Sequence, residues 1–162
     1  MHTGFPPLDI LLAKGGFLFA FDFVRYLLAA AGVSLIVWLL QRTRLAGRTI
    51  QNRDATLSDR RREFLQSMQS IGVYTVTGSF IIWGVDAGVL HRVQGSYGWA
   101  GDLAVLAGLI VAHDAYFYWA HRAMHHPRLF AIFHRAHHRS ITPTPWAAYS
   151  FAIPEAAVMI AF

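Results

Sequence analysis

The sequence contains no cysteine, which excludes disulfide bonds and thiolate metal ligands. Any metal site must therefore use nitrogen or oxygen donors. Charge is also scarce, because 14% of the 162 residues are charged while 55% are hydrophobic, and this balance is not that of a water-soluble domain. The N-terminus lacks the cleavable pattern of a secretory signal, so we expect its apolar stretch to be retained as a membrane helix.

Apolar residues are concentrated in separate stretches that are nearly free of charge. These stretches cover residues 17–40, 71–85, 103–119 and 146–162. A helix needs about 20 apolar residues to cross the hydrocarbon layer, and the first three stretches approach that length with their flanks. The sequence therefore predicts an all-α, multi-pass integral membrane protein with about three full transmembrane helices and part of a fourth. Within the first stretch, Asp22 and Arg25 have helical spacing and are expected to form a structural ion pair.

The basic residues lie between the apolar stretches, which membrane topology explains better than nucleic-acid binding does, so no nucleic-acid partner is expected. Seven arginines follow the first stretch: Arg42, Arg44, Arg48, Arg53, Arg60, Arg61 and Arg62. Four follow the third stretch: Arg122, Arg128, Arg135 and Arg139. The linker around Gly95 contains only Arg92. By the positive-inside rule, the two arginine-rich segments are expected in the cytoplasm, and the Gly95 linker and the N-terminus outside.

The first arginine-rich linker has two interpretations. The simpler one is a solvated segment in which Ser58 and Asp59 cap a second helix that begins at Arg60. In the other, the arginines bind anionic lipid headgroups, because clustered basic residues next to a membrane helix are attracted to such surfaces.

Six of the nine histidines lie within residues 121–138. His121 and His125 are four residues apart and share a helix face, and His134 and His138 repeat this spacing. We expect two short histidine-bearing helices to bring both pairs toward one point at the cytoplasmic face.

The helices that carry these histidines are expected to have the following bounds. The third helix should begin after Gly101 with Asp102 as its cap, and Pro127 should end it. A polar helix should then cover residues 128–139.

Clustered imidazoles are typical ligands of iron, zinc, copper and nickel. Five or more exceed the need of one tetrahedral zinc, so two metals or further ligands fit the number better. Asp114 suits either ligation or a hydrogen bond that fixes the tautomer of a ligating histidine. The alternative is a basic cluster that rests on anionic headgroups, although such a cluster does not require this spacing.

The pattern Asp114-x-x-Phe-Tyr-Trp-x-His121-Arg-x-x-His125, followed by His134-x-x-His137-His138, resembles the fatty acid hydroxylase and sterol desaturase superfamily of membrane di-metal oxygenases. The resemblance covers residues 103–162 and includes the Pro154-Glu155 pair. We therefore divide the chain into an N-terminal membrane region, residues 1–101, and the N-terminal part of a fatty acid hydroxylase-like domain, residues 102–162.

The resemblance implies a set of metal ligands: His121, His125, His134, His137 and His138. It leaves three further residues open as ligands or as hydrogen-bond partners of ligands: Asp114, His113 and His126. It also implies two iron ions, which zinc can replace in a purified form, and no catalytic residue beyond the ligands. In this family the irons activate dioxygen with electrons from an external donor and oxidise a lipid. The implied function is therefore hydroxylation or desaturation of a fatty acyl or sterol-like substrate.

Members of this family carry a further His-x-x-His-His motif, and no histidine follows His138 in this sequence. We therefore expect the chain to be the N-terminal part of a longer oxygenase. Two other functions stay open: a non-catalytic metal-binding membrane protein, such as a degenerate relative or a partner that completes another chain, and a metal or haem carrier.

Overall fold

The computed structural model describes residues 8–48, 53–92 and 95–161. In these ranges every regular element is a helix, which confirms the predicted all-α class. The α-helices are α1 (Leu8–Leu40), α2 (Leu57–Asp86), α3 (Gly98–Met124), α4 (Pro127–Phe133) and α5 (Ile153–Met159). Short 3-10 helices cover Arg44–Arg48, His137–Arg139 and Pro145–Ala147.

Helices α1 and α2 form an antiparallel hairpin. At one end, Lys14 near the start of α1 pairs with Asp86 at the end of α2. Further along, Tyr26 of α1 contacts Phe64 near the start of α2, with ring centroids 6.4 Å apart. The first arginine-rich linker therefore lies at the end of the hairpin where α1 finishes and α2 begins.

The predicted ion pair of α1 is confirmed, because the Arg25 guanidinium lies 2.8 Å from the Asp22 carboxylate. The predicted start of α2 is wrong by a few residues. Thr56 caps this helix through a reciprocal capping box, in which its hydroxyl accepts from the Asp59 amide at 3.1 Å and the Asp59 carboxylate accepts from the Thr56 amide at 3.1 Å. Asp59 thus occupies the third helical position, and the helix begins at Leu57 rather than at Arg60.

The segment between the second histidine motif and α5 is held in the groove of the α1–α2 hairpin. The Tyr26 hydroxyl donates to the Trp146 carbonyl at 2.7 Å, and the Ser67 hydroxyl donates to the same carbonyl at 3.0 Å. Tyr149 stacks on Tyr26, with ring centroids 5.8 Å apart. The hairpin is thereby attached to the histidine-bearing part of the chain.

The first arginine-rich linker and the histidine-rich segment lie at the same end of the hairpin. Arg62, in the first turns of α2, donates to the Arg139 carbonyl at 3.2 Å. Arg139 belongs to the 3-10 helix that contains His137 and His138. The two arginine-rich segments thus lie close to each other in the structure.

Two of the described helices are long and apolar enough to cross a membrane, over Leu12–Leu40 and Gly98–Met124. Within the span at Gly98–Met124, only Met124 is buried inside the described part of the protein. Helix α2 has 30 residues, enough length to cross, but serines, threonines and glutamines make it less apolar.

Several predicted bounds in the C-terminal part are wrong. Helix α3 begins at Gly98, so that Asp102 lies inside its first turns, where its carboxylate accepts from the Tyr97 amide at 3.0 Å. The helix ends at Met124, and Pro127 opens α4 instead of ending α3, because the first helical position needs no amide proton.

The predicted helix over residues 128–139 is also shorter, since α4 ends at Phe133 and residues 137–139 form a separate 3-10 helix. The apolar run at residues 146–161 does not form one continuous helix. It contains part of a 3-10 helix, a non-helical stretch and the seven residues of α5, which reach only about 10 Å.

Candidate metal centre

The first histidine pair lies at the C-terminal end of α3. His121 is in the last turn, and His125 is the residue that ends the helix. Their Nε2 atoms are 3.2 Å apart, and their ring centroids are 4.8 Å apart. The spacing of four residues thus places both imidazoles on one face, as predicted.

A sharp change of direction after His125 brings the second motif back to the first. His126 adopts an extended conformation, and its Nδ1 accepts from the Arg128 amide at 3.3 Å, which caps α4. Helix α4 then leads to His134, whose ring centroid lies 4.5 Å from that of His121 and 4.7 Å from that of His125. The predicted convergence of the two motifs is therefore present in the structure.

Three of the predicted ligands form a compact group: His121, His125 and His134. One ligand nitrogen from each residue can be chosen so that all three lie within 4.8 Å of one another. Imidazole nitrogens bind zinc at about 2.0–2.1 Å, so two nitrogens on one ion of this size lie about 3–4 Å apart. Small adjustments of the rings would therefore let these three nitrogens share an ion.

His134 is held by a buried carboxylate. Its side chain has no solvent exposure, and its Nδ1 lies 2.6 Å from Oε1 of Glu155, which is 1% exposed. Nδ1–H donates to the carboxylate, which leaves the lone pair on Nε2. That Nε2 is buried and has no hydrogen-bond partner in the described part of the chain. A buried imidazole nitrogen of this kind, fixed through the opposite nitrogen by a carboxylate, fits a metal ion.

The burial of the site favours neutral imidazoles. Burial, followed by the charges of the neighbouring histidines, lowers the pKa of His134 to about 4. Burial and the neighbouring His125 lower the pKa of His138 as well. Burial also raises the pKa of Glu155 to about 7. Neutral imidazole is the form that binds a metal, so His134 and His138 need not lose a proton to do so at neutral pH.

The remaining residues of the second motif border this group. The His138 ring centroid lies 4.6 Å from that of His134 and 5.0 Å from that of His125. The His137 centroid lies 5.4 Å from that of His134, and the other side of its ring contacts Phe151. His137 Nδ1 is buried without a hydrogen-bond partner among the described residues. Both imidazoles thus lie beside the group of three.

The three residues that the sequence left open lie elsewhere. Asp114 is exposed on α3 and precedes His121 by seven residues, or about 10 Å along the helix axis. His113 is one residue further away. His126 is exposed and uses its Nδ1 to cap α4.

Glu155 is the site residue that sequence reasoning did not select. Two signals pointed to it: the Pro154-Glu155 pair of the resembling family, and a carboxylate inside an otherwise apolar run. Ionisable residues in apolar surroundings are commonly functional and paired. Glu155 pairs with His134, which lies 21 positions earlier in the chain, so this pair becomes visible only in the folded structure.

Aromatic side chains surround the histidines. Phe117 stacks on His121 with ring centroids 5.7 Å apart, and the Phe130 centroid lies 5.9 Å from that of His125. The Tyr116 hydroxyl donates to the Val158 carbonyl at 2.6 Å and so ties α3 to α5. These contacts give the candidate site an apolar wall and fix the helix that carries Glu155.

Comparison with known proteins agrees with this geometry. The fatty acid hydroxylase family model matches residues 106–162. A Δ7-sterol 5(6)-desaturase of Aspergillus fumigatus is 44% identical over 64 residues, and one of Gibberella zeae is 46% identical over 63 residues. Each alignment covers 39% of this chain and 20% of the desaturase. The lathosterol oxidase of Rattus norvegicus is 33% identical over 54 residues, which are 33% of this chain and 18% of the oxidase.

The chain thus matches about a fifth of the length of these curated relatives. No solved structure matches it. The matched residues include all five predicted histidine ligands and Glu155. Through residues 106–162, the chain is similar to the fatty acid hydroxylase family and to the sterol desaturases.

Proposed function

We propose that the chain contributes a histidine-ligated di-iron centre to a membrane-bound oxidoreductase that hydroxylates or desaturates a lipid. The observation that carries this proposal is the buried His134, which is oriented by Glu155 and grouped with His121 and His125. The names of the relatives, which are sterol desaturases and a lathosterol oxidase, favour a sterol-like substrate over other lipids.

The proposed ligands are His121, His125, His134, His137 and His138. Iron bound by these residues would supply the dioxygen-dependent oxidation of a lipid carbon. The protein's own contribution is orientation of the ligands. Glu155 keeps the His134 proton on Nδ1, and Phe117 and Phe130 pack against the rings of His121 and His125.

The proposed membrane arrangement has α1, α2 and α3 crossing the bilayer, with the histidine motifs at the cytoplasmic face. Two features support it: the two candidate spans, and the common position of both arginine-rich segments at one end of the hairpin. A lipid substrate would then reach the site through the bilayer, and an external electron donor would reach it through the cytoplasm. Residues 1–101 would be the membrane region that supports the catalytic domain beginning at residue 102.

The test combines metal analysis with lipid analysis of the full chain and of two variants. His134→Ala removes the central imidazole, and His91→Ala removes an exposed imidazole in the loop after α2. We expect His134→Ala to weaken iron binding by more than about tenfold, while His91→Ala binds as the unchanged chain does. Elemental analysis of the purified proteins measures this.

The lipid analysis tests the same two changes in a host that makes sterols. Because the chain matches only about a fifth of the length of its relatives, the two changes are made in the full-length gene product that contains it. We expect oxidised or desaturated sterol products with the unchanged sequence and with His91→Ala, and none with His134→Ala. Equal iron in all three proteins would refute the metal centre. Specific iron binding without any lipid product would instead favour a non-catalytic metal-binding role.

A further inference from the structure

A basic cavity lies where α1 ends. Its volume is about 420 Å³, within the usual range for small-molecule sites. Its walls come from three places: the last turns of α1, the residues just before and within the start of α2, and residues 142–145. It contains none of the histidines discussed above.

Two guanidinium groups line this cavity, from Arg53 and Arg60, against one carboxylate, from Asp54. Among the residues that the structure describes, Arg53 makes only a long contact of 3.6 Å with Asp59, whose carboxylate also bonds to Arg62 at 3.0 Å. Arg60 is exposed and has no salt bridge to a described residue. Both arginines therefore retain donors for an anion.

The wall that α1 forms carries the apolar Val37 and Trp38 beside Ser34 and Gln41, and it lies at the end of a candidate membrane span. Val37 and Trp38 belong to the last turn of the span Leu12–Leu40. The Arg42 guanidinium lies 3.6 Å from the centre of the Trp38 ring. Tryptophan and arginine at the end of an apolar helix are typical of the depth of lipid headgroups.

We propose that this cavity binds the phosphate group of an anionic phospholipid. Arg53 and Arg60 donate to the phosphate oxygens, for which guanidinium groups have matching geometry. Trp38 and Val37 contact the adjoining glycerol and the first methylenes of the acyl chains. A water-soluble phosphate could use the same donors but would gain nothing from this apolar wall.

The bound lipid would also contact the segment that follows the histidine motifs. Residues 142–145 form one wall of the cavity, and Thr144 within them bonds to the buried Glu63. The lipid would therefore brace the start of the segment that leads to Trp146 and on to Glu155. The proposal does not depend on the proposed oxidoreductase activity, because lipid binding can be measured without turnover.

The experiment measures lipids retained by the purified full chain in detergent, by native mass spectrometry. Phosphatidylglycerol is compared with phosphatidylcholine, which has a phosphate but no net charge. We expect the unchanged chain to bind phosphatidylglycerol about tenfold more tightly, and the double variant Arg53→Gln/Arg60→Gln to lose this preference. The matched control is Arg44→Gln/Arg61→Gln, which removes the same charge from exposed arginines of the same region outside the cavity.

Three results would overturn the proposal. The first is an unchanged preference for phosphatidylglycerol in the Arg53→Gln/Arg60→Gln variant. The second is an equal loss of this preference in the control variant, which would mean that the arginines attract anionic lipids without a specific site. The third is displacement of phosphatidylglycerol by glycerol 3-phosphate at an equal concentration, which would assign the cavity to a soluble phosphate. Circular dichroism checks that the double variant is folded. The single variant Arg60→Gln should reduce the preference for phosphatidylglycerol in the same direction, so the test does not depend on the double variant alone.

Discussion

At the scale of single residues, Glu155 gives His134 its functional orientation. A buried carboxylate is costly unless it is hydrogen-bonded, and the bond to His134 Nδ1 supplies one such partner. The second carboxylate oxygen, Oε2, is buried without a hydrogen-bond partner among the described residues. Buried polar atoms without hydrogen-bond partners, as on both of these residues, are energetically unfavourable. A cation bound at His134 Nε2 would favour the ionised carboxylate.

Replacing Glu155 by glutamine tests this role. The amide oxygen can still accept the Nδ1–H bond, but the negative charge that makes the imidazole a stronger ligand is lost. We expect Glu155→Gln to weaken iron binding by about tenfold or more, measured by competition with a chelator of known affinity.

The matched control for this variant is Glu63→Gln. Glu63 is the other glutamate of the sequence, is equally buried, and bonds to Thr144 instead of to a histidine. Its replacement keeps a side-chain oxygen that accepts from Thr144, so the segment leading to Glu155 stays in place and the affinity for iron should stay within about twofold. A similar loss in both variants would mean that Glu155 acts only through stability.

At the scale of elements, the path from His138 to α5 depends on a polar row along α2. Glu63 accepts from the amide and the hydroxyl of Thr144, and Ser67 donates to the Trp146 carbonyl. Further along α2, the Gln66 carbonyl accepts from the Ser150 hydroxyl at 2.6 Å. Through these bonds, α2 fixes the non-helical segment that positions Glu155 opposite His134.

Thr144→Val should therefore destabilise the fold. Valine keeps the shape of threonine but removes the hydroxyl, which leaves the buried Glu63 carboxylate with only the longer backbone bond. The expected loss is about 1–3 kcal/mol of the free energy of unfolding. Denaturant unfolding in detergent measures it, with Thr142→Val as the control, because no hydrogen bond of the Thr142 side chain is described. A loss of equal size in the control would contradict the role of the Glu63 bond.

The parts of the fold that the sequence predicts are those set by local spacing. The apolar stretches predicted α1 and α3, and the spacing of four residues predicted that His121 and His125 share a face. The Asp22–Arg25 pair follows from the same local rule. All of these depend on neighbours within one or two helical turns, which the sequence displays directly.

The parts that the sequence does not predict depend on tertiary contacts. Residues 146–161 are apolar enough to suggest a membrane helix, yet Trp146 and Tyr149 bury their rings against α1 and α2 and thereby interrupt it. The partner of Glu155 and the polar row of α2 are likewise fixed by contacts between distant segments. A spacing rule cannot find such contacts, although an acid within an apolar run marks the place to look.

At the scale of the whole molecule, the described residues form two surfaces of different chemistry, one along the helices and one at an end of the hairpin. Much of α1 and nearly all of α3 expose large apolar side chains, including Phe17, Leu28, Leu109 and Val111. Surfaces of this kind require a lipid or protein cover. At one end of the hairpin, the arginines, the histidines and the basic cavity lie together, and this end suits the charged face of a membrane.

This asymmetry predicts the orientation of the chain in a membrane. A reporter protein inserted at Arg53 should be cytoplasmic, because the region around it is rich in arginine and the positive-inside rule retains such segments. A reporter at Gly95, where the nearby linker carries only Arg92, should be external.

Paired reporters measure both positions, with alkaline phosphatase active outside the membrane and a fluorescent protein active inside. Because Arg62 bonds to the Arg139 carbonyl, the location at Arg53 also fixes the side on which the histidine motifs lie. An external Arg53 would place the candidate metal centre away from cytoplasmic reductant and would contradict the proposed delivery of electrons. If both reporters lay on one side, α2 could not cross the membrane, and the hairpin would have to pack along its surface.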